Sequence, residues 1–354
     1  MKLVIFGLTL SSSWGNGHAT VWRSLLSALS KRGYHIVFFE ADVPYYAEHR
    51  DLPEPSFAKL HLYSSWRSIA DKAKLELADA DVAIVSSYCA DAVAASQIVL
   101  SSRARARVFY DLDTPVTLRQ LSSDCPPPYL PAHGLADFDL VLSFTGGPAL
   151  DELRSRLGAQ RVSPLYGSVD PCTYHPVGPV AQYRCDLSYL GTFAADRQTA
   201  LERLFVTTAE YLPNCRFVLA GALYPLDFPW KPNLWHVPHV PPRDHAQLYC
   251  SSRATLNVTR AAMATMGYCP SGRLFEAAAC GTLMLSDDWA GMDQFFTRGT
   301  EILIVNNADD VIAALSLSER EQLRIAREAR ERVLEFHIGH KRALEFESAV
   351  AAVM

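Results

Sequence analysis

The order of predicted strands and helices constrains the fold more than any other feature of this sequence. An apolar run at 3–8 predicts a buried strand, and a polar loop with two glycines follows it. Residues 19–31 then predict an amphipathic helix, and residues 35–40 a second strand. Further strands, with helical stretches between them, are predicted at 82–86, 108–110 and 140–143. This order is typical of a doubly wound α/β sheet, where ligands bind at the carboxyl ends of the strands.

A proline-rich segment separates this pattern from a second one. Residues 164–179 contain four prolines and two glycines, a composition typical of a linker. Beyond it the alternation restarts, with strands predicted at 187–190, 216–220, 234–240, 254–258, 283–286 and 302–305. The last segment, 316–353, is predicted to be helical. A length of 354 residues also favours two domains.

A short helix with an open N-terminus is predicted within the second pattern. The hydroxyl of Ser271 can cap a helix that begins at Arg273, and Gly281 can end it in the left-handed conformation. Unpaired N–H groups beside Gly272, together with the helix dipole, favour an anion such as phosphate. Glu276 lies one turn further on the same face, where it could accept hydrogen bonds from a pair of ribose hydroxyls. Alternatively, Glu276 is a surface residue that the helix dipole favours.

The run from Ser271 to Thr282 resembles the nucleotide-sugar signature of GT-B glycosyltransferases. It is most similar to the CgeB-like (spore-maturation) branch near glycosyltransferase family 4. In that family, the residue matching Glu276 holds the ribose hydroxyls of the donor. A second family Glu, eight positions earlier, contacts the donor sugar, and its place is taken here by Tyr268. The first loop, the proline-rich segment and the loop at 191–197 share the resemblance.

The resemblance implies two Rossmann-like doubly wound domains that face a cleft. Residues 1–172 would form the acceptor domain and residues 173–337 the nucleotide-sugar domain. The C-terminal helix, at about 338–354, would pack back on the first domain.

The resemblance also implies a donor site in which basic residues meet a diphosphate. Arg197 stands at a helix start where the family carries a basic residue, and a guanidinium can donate two parallel hydrogen bonds. Arg260 and Arg273 are further candidates, although each could instead be a solvated surface arginine. In the family, the backbone near His239 and Val240 holds the nucleobase. The implied donor-site residues are Gly17, Gly191, Arg197, His239, Val240, Arg260, Tyr268, Ser271, Gly272, Arg273 and Glu276.

The loops of the first domain carry the candidate catalytic and acceptor residues. His18, at the start of a helix after a glycine-containing loop, could be a base toward an acceptor hydroxyl or a donor to the diphosphate. It could also be a helix residue without chemistry. Asp111 and Asp113 form an incomplete metal site, and could equally cap the next turn. Residues 42–51 suit stacking on an acceptor, or packing at the domain edge. The candidate acceptor-binding residues are Trp14, Asn16, Tyr45, Asp111, Asp113 and Thr145.

Composition limits the classes of function. The chain is 49% hydrophobic and 20% charged, which indicates a soluble globular protein, and its net charge of −5 makes nucleic-acid binding unlikely. The apolar N-terminus is interpreted as a first strand rather than a signal peptide, and no run is long enough to span a membrane. Cysteines without a CxxC pair are expected to be reduced, mostly buried thiols of a cytoplasmic protein. They stand at Cys89, Cys125, Cys172, Cys185, Cys215, Cys250, Cys269 and Cys280.

These observations predict a glycosyltransferase of the hexosyltransferase type. The resemblance implies that the donor is a nucleotide diphosphate sugar, with a UDP-sugar as the expectation from the family, and the acceptor is not identified. Arg197, Arg273 and the helix start at Ser271 would stabilise the departing diphosphate without a metal or another cofactor. An inverting reaction would use His18 as the base, whereas in a retaining reaction the leaving phosphate would take the proton. A nucleotide-sugar epimerase and a non-catalytic nucleotide-binding protein are the alternatives, and the oligomeric state is left open.

Overall fold

The computed structural model describes residues 1–122 and 126–354. Cys125, expected to be a reduced thiol, lies outside the described residues. The chain divides into two compact units, one formed by 1–167 with 339–354 and the other by 168–338. The first unit thus ends at 167, where the sequence suggested 172. Each unit contains one parallel sheet, as expected for two Rossmann-like domains.

The first unit contains a seven-stranded parallel sheet in the order β3-β2-β1-β4-β5-β6-β7. Its strands are β1 (Lys2–Gly7), β2 (His35–Ala41), β3 (Lys59–Tyr63), β4 (Val82–Ser86), β5 (Ala106–Asp111), β6 (Leu140–Ser143) and β7 (Val162–Pro164). Its helices up to the linker are α1 (His18–Lys31), α2 (Pro44–Ala47), α3 (Trp66–Leu77), α4 (Ala92–Leu100), α5 (Thr114–Gln120) and α6 (Pro148–Leu157). The strand order reverses between β1 and β4, so the loops after these two strands border the crevice where such sheets bind ligands.

The edge strands β3 and β7 were not predicted. The central strands carry continuous apolar runs because both faces of a parallel sheet are covered, as shown by the complete burial of Leu3 to Phe6. In contrast, most residues of β3 and all three of β7 are partly exposed, and their sequences mix polar and apolar residues. An edge strand needs less apolar sequence, which leaves a weaker pattern to detect.

The second unit contains a six-stranded parallel sheet in the order β10-β9-β8-β11-β12-β13. Its strands are β8 (Cys185–Leu190), β9 (Phe217–Ala220), β10 (Leu234–Val237), β11 (Ser252–Asn257), β12 (Leu283–Ser286) and β13 (Leu303–Ile304). Its helices are α7 (Ala195–Leu201), α8 (Thr207–Tyr211), α9 (Pro242–Cys250), α10 (Ala261–Met266), α11 (Gly272–Ala279), α12 (Ala308–Leu315) and α13 (Glu319–Phe336). The order reverses between β8 and β11, which places the crevice beside the loops that follow these strands.

The C-terminal segment, predicted as one helical stretch, forms two helices. The helix α13 ends at Phe336, and α14 (Gly339–Ala351) belongs to the first unit, where it packs on α1. A Cβ on Gly339 would lie 2.6 Å from the carbonyl oxygen of Ser24, so only glycine permits this close approach. Arg342, which is buried, donates from Nε to the carbonyl of Gly167 at 3.0 Å.

Among the described residues, no helix has both the length and the apolar character needed to cross a membrane. Of the cysteines there, Cys89, Cys185, Cys269 and Cys280 are buried, Cys215 and Cys250 are partly exposed, and Cys172 is exposed.

Candidate functional site

The helix α11 begins and ends close to the predicted residues, but its N-terminus differs from the prediction. Ser271 occupies the N-cap position without a side-chain capping bond, so the predicted hydroxyl cap is wrong. Its Oγ instead accepts a hydrogen bond from Nε of Arg273 at 3.1 Å. The first turn therefore keeps its capacity to bind an outside acceptor. Gly281 has φ +73°, which confirms the predicted left-handed stop.

Gly272 leaves the N-terminus of α11 open. A Cβ built on this residue would meet nothing within 4 Å, so packing within the protein does not explain the glycine. The absence of a side chain lets a ligand approach the backbone closely.

Three arginines of the second unit converge on this helix start. Arg273 donates from Nη1 to the carbonyl of Leu190, at the end of β8. Arg197 donates from Nη2 to the carbonyl of Thr192, while its buried Nε has no hydrogen-bond partner in the described part of the chain. Burial lowers the pKa of Arg197, and the nearby charges of Arg273 and Arg260 lower it further. Mutual repulsion of this kind is relieved when an anion binds among the guanidinium groups.

Arg260 forms a partly exposed salt bridge with Asp196. Its Nε lies 3.2 Å from Oδ2 of Asp196, and 39% of its side chain is exposed. One carboxylate therefore offsets part of the positive charge, and the Arg260 guanidinium faces water as well as Asp196. This arrangement suits a residue that changes partner when a more highly charged anion arrives.

Packing within the protein requires a glycine at position 191. A Cβ there would lie 2.7 Å from Nη1 of Arg273 and 2.9 Å from Oη of Tyr189. Tyr224 fixes the same loop by donating from Oη to the carbonyl of Gly191 at 3.0 Å. The glycine makes room for the arginine, and the predicted ligand contact of Gly191 stays a prediction.

Glu276 is buried, with only 6% of its surface exposed, so the surface interpretation is wrong. Its Oε2 accepts a hydrogen bond from Oη of Tyr249 at 3.3 Å and lies 3.6 Å from Nδ1 of His245. Burial, and then the charge of Glu276, raise the pKa of Tyr249, so this phenol stays protonated and donates. A buried carboxylate that is held by donors in this way is positioned in advance to accept hydrogen bonds from a ligand.

The loop between β10 and α9 makes a hydrogen bond within the second unit. The carbonyl of Val240, a buried residue, accepts from Nε2 of His245 at 3.0 Å. His239 is exposed. A contact of this loop with a nucleobase stays a prediction, and it would have to use groups other than the Val240 carbonyl.

Tyr268 has a strained backbone that the sequence did not reveal. Its φ is +51° and that of Gly267 is +71°. Tyr268 donates from its backbone N–H to the carbonyl of Ala290 at 2.6 Å, and its ring lies so close to Gly291 that a Cβ there would overlap it. A bulky residue in this conformation costs on the order of 1–3 kcal/mol, and such strain is concentrated at functional sites.

In the first unit, His18 and Asp113 form a close pair. His18 opens α1, and its Nε2 lies 2.6 Å from Oδ2 of Asp113 at the start of α5. Asp113 occupies the N-cap position of α5 without a side-chain cap, so the capping alternative is wrong for this residue. Nδ1 of His18 is buried and has no hydrogen-bond partner in the described part of the chain. With Nε2–H donating to Asp113, Nδ1 is the ring nitrogen available as a base.

Asp111 is completely buried behind this pair. Its Oδ1 accepts hydrogen bonds from Oγ1 of Thr117 and from the backbone N–H of Asp113, both at 3.0 Å. Its Oδ2 has no partner within the described ranges. Burial, and then the charge of Asp113, raise the pKa of Asp111 to about 7. Among the described residues, no group of three or more His, Cys, Asp or Glu side chains could hold a metal ion.

Four of the six candidate acceptor residues fall into two groups. Asp111 and Thr145 are completely buried, which argues against the predicted contact of either side chain with an acceptor. Tyr45 is exposed at 46%, and Trp14 is partly exposed and stacks on His49 with ring centroids 3.8 Å apart. Stacking of these two aromatic rings on an acceptor stays a prediction.

Asn16 holds the first loop together instead of pointing out of it. Its Nδ2 donates to the carbonyls of Ser12 and Trp14, and its Oδ1 accepts from the N–H of Ala19 at 3.2 Å. The predicted acceptor contact is therefore less favoured than a supporting role. Gly17, in the same loop, would place a Cβ in empty space, as Gly272 would at α11.

Glu40 supports this loop and was not anticipated as a functional residue. It is completely buried at the end of β2 and accepts hydrogen bonds from Oγ1 of Thr9, from the N–H of Leu10, and from both the N–H and Oγ of Ser11. The signal in the sequence was an acidic residue that closes an otherwise apolar strand, and such a residue needs buried donors.

Comparison with known proteins gives one family match and many structural matches. The model of the family described as glycosyl transferase-like matches residues 197–348, which include the three arginines and Glu276. A search of curated proteins by sequence finds no match.

The structural matches extend over nearly the whole chain. Sucrose-phosphate synthase from Thermosynechococcus elongatus superposes with a TM-score of 0.70 at 13% identity, over 99% of this chain and 98% of that chain. HepE from Anabaena, in complex with UDP-glucose, superposes with a TM-score of 0.66 at 11% identity, over 99% and 100%. An alpha-glucosyltransferase in complex with UDP-glucose and DNA containing an abasic site superposes with a TM-score of 0.69 at 13% identity, over 99% of both chains.

These matches identify the class of fold. The chain has the GT-B glycosyltransferase fold, with two parallel-sheet Rossmann-like domains. The predicted fold class is thereby confirmed. The narrower assignment to the CgeB-like branch near family 4 stays a prediction.

Proposed function

We propose that this protein is a glycosyltransferase that uses a nucleotide diphosphate sugar, specifically a UDP-hexose, as its donor. The observation that carries the proposal is the arrangement at α11. Arg197, Arg260 and Arg273 converge on a helix start without a side-chain cap, and Glu276 is buried one turn further along. A diphosphate at the helix start and a ribose at Glu276 would satisfy both halves of this arrangement. The UDP and UDP-glucose complexes of HepE support uracil as the base.

Transfer would break the bond between the sugar C1 and the diphosphate oxygen and form a bond from C1 to an acceptor oxygen. Negative charge develops on the departing diphosphate, where Arg197, Arg273 and the N–H groups of α11 would stabilise it. These groups are fixed before the reaction, since Arg273 is bound to the Leu190 carbonyl and Arg197 to the Thr192 carbonyl. Because they supply positive charge, we propose that the reaction needs neither a metal ion nor another cofactor.

The first domain would bind the acceptor and accept its proton. Asp113 orients His18 and stabilises the charged imidazole, and Nδ1 of His18 would take the proton of the acceptor hydroxyl. This pair supports the inverting alternative, in which the anomeric configuration of the sugar changes. The configuration of the product, measured by NMR, would decide between this course and a retaining one. A cytoplasmic location and an acceptor that is not a nucleic acid belong to the same proposal.

A non-catalytic nucleotide-binding protein is the second candidate, and one observation favours it. Tyr268 stands where the resembling family carries the Glu that contacts the donor sugar. Incubation with UDP-glucose separates the two candidates: a glycosyltransferase slowly hydrolyses the donor, with water as the acceptor, and releases UDP and glucose, whereas a binding protein returns the donor intact. An epimerase would convert the donor without any acceptor.

A thermal-shift panel tests the donor site first. Wild type would be mixed with UDP, GDP, ADP, TDP and CDP, since a bound ligand raises the midpoint of unfolding by mass action. We expect UDP to give a selective shift that Glu276→Ala abolishes. Glu331→Ala is the matched control, because it removes an exposed carboxylate from α13 and should keep the shift. If no nucleotide stabilises the wild type, or if Glu276→Ala responds like the control, the proposed donor site is wrong.

A further inference from the structure

His245 connects two parts of the second domain that belong to different elements. It lies in the first turn of α9, and 13% of its side chain is exposed. On one side, its Nε2 lies 3.0 Å from the carbonyl oxygen of Val240, in the loop before α9. On the other side, its Nδ1 lies 3.6 Å from Oε2 of Glu276, which belongs to α11. One imidazole is therefore hydrogen-bonded to the loop and packed against the carboxylate of the helix.

The tautomer of His245 follows from its partners. A carbonyl oxygen can only accept, so Nε2 must carry a proton to bond with Val240. In the neutral ring Nδ1 is then an acceptor, and Oη of Tyr174 lies 3.3 Å from it. Burial, and then the charge of Glu276, raise the pKa of Tyr174, so its hydroxyl remains a donor. Nδ1 therefore accepts from Tyr174, and its approach to Oε2 of Glu276 at 3.6 Å is a packing contact.

The carboxylate of Glu276 lies in a cluster of three side chains, Tyr249, Tyr174 and His245. Tyr249 donates to its Oε2 at 3.3 Å, and Tyr174 also interacts with it. The Tyr249 backbone is itself fixed, since its carbonyl accepts from Oγ1 of Thr282 at 2.8 Å. In this cluster, His245 is the member that also bonds to the loop at Val240.

We propose that His245 is a positioning residue that fixes Glu276 relative to the Val240 loop, and that it thereby sets the affinity for the nucleoside part of the donor. This inference rests on the proposed function. The diphosphate would be bound by the arginines and the start of α11, none of which His245 contacts through the bonds described above. Loss of His245 should therefore weaken ribose recognition selectively.

The test compares three ligands on one set of variants. UDP, 2′-deoxy-UDP and inorganic pyrophosphate would be titrated calorimetrically into wild type, His245→Ala, His245→Gln and Glu276→Ala. We expect His245→Ala to weaken UDP roughly tenfold and to bring the affinities for UDP and 2′-deoxy-UDP closer together, with pyrophosphate unchanged. His245→Gln keeps a donor for the Val240 carbonyl and should recover part of the UDP affinity.

Two controls separate positioning from general damage. His236→Ala removes another histidine whose Nε2 bonds to a backbone carbonyl, that of Gly221 at 2.9 Å, and it should leave all three affinities unchanged. Because His245 acts through Glu276, the double variant His245→Ala/Glu276→Ala should bind UDP no more weakly than Glu276→Ala alone.

Each further outcome has one interpretation. If His245→Ala weakens UDP and pyrophosphate equally, its role is general and the inference is overturned. If Glu276→Ala loses ribose discrimination while His245→Ala keeps it, the inference fails and the proposed function stands. If the wild type binds no nucleotide, or if Glu276→Ala binds UDP like the wild type, the proposed function and the inference fail together.

Discussion

Substitution of Asp111 by asparagine should change how the free energy of unfolding depends on pH. Burial, followed by the charge of Asp113, raises the pKa of Asp111 to about 7 from an ordinary value of 3.8. Between these two values, the native protein keeps a proton that the unfolded chain has lost. Stability therefore falls as the pH rises through this window, because the unfolded state binds fewer protons there. Below the lower value both states are protonated and the effect disappears.

The magnitude follows from the two pKa values. As the pH rises from 5 to 8, the titration of Asp111 should lower the free energy of unfolding of the wild type by about 2.5 kcal/mol. Asparagine is neutral at every pH in this range and has the shape of a protonated Asp. Its Oδ1 can still accept from Thr117 and from the N–H of Asp113. The free energy of unfolding of Asp111→Asn, relative to that of the wild type, should therefore increase by about 2.5 kcal/mol between pH 5 and pH 8.

Urea unfolding at both pH values measures this difference. Comparison of variant with wild type cancels the titration of all other groups that the substitution leaves unchanged. Asp71→Asn is the matched control, since this carboxylate is fully exposed on α3 and the same chemical change should not alter the pH dependence. If the stabilities of Asp111→Asn and the wild type change in parallel with pH, Asp111 does not hold its proton in the native state, and the argument from burial is refuted.

Three further substitutions test separate parts of the structure. Arg197→Ala should weaken both UDP and pyrophosphate roughly tenfold in calorimetric titrations, because it removes a charge-assisted contact, and an effect on UDP alone would contradict this role. Gly272→Ala should leave the midpoint of thermal unfolding nearly unchanged, since its Cβ meets nothing within 4 Å, yet weaken UDP; unchanged UDP affinity would place the diphosphate elsewhere. Glu40→Gln should lower the free energy of unfolding in urea by about 3 kcal/mol, because buried donors lose a charged acceptor, and a loss below 1 kcal/mol would argue against this.

The parts of the fold that the sequence predicted are those with a strong local pattern. Central strands such as β1 and β4 are apolar throughout because helices and neighbouring strands cover them, and a continuous apolar run shows this directly. The bounds of α11 were predicted from Ser271 and Gly281, because local backbone conformation determines where a helix begins and ends. The edge strands β3 and β7 were missed, because partial exposure allows polar residues.

The parts of the site that the sequence could not predict depend on contacts between distant residues. Periodicity placed Glu276 one turn beyond Gly272, but it could not show that Tyr249 and His245 cover the carboxylate. The hydroxyl of Ser271 was predicted to cap the helix, whereas it accepts a hydrogen bond from the guanidinium of Arg273. Both outcomes depend on which side chains compete for a polar atom in the folded structure, and secondary-structure propensities do not contain this information.

Pairings across the sheet are invisible for the same reason. His18 and Asp113 were both candidates, yet their separation of 95 positions gave no sign that they form one pair. The parallel sheet brings them together because the loops after β1 and β5 leave the same edge.

The position of Glu40 has a consequence for nucleotide binding by the first domain. In dinucleotide-binding sheets, an acid near the end of the second strand commonly receives a ribose. Here that carboxylate is saturated by Thr9, Leu10 and Ser11, so a ribose could enter only by dismantling the loop that leads to His18. The first domain thus has the architecture of a nucleotide-binding fold, but the acid at the end of its second strand supports the neighbouring loop. Redesign of this domain to accept a nucleotide would have to begin by freeing Glu40.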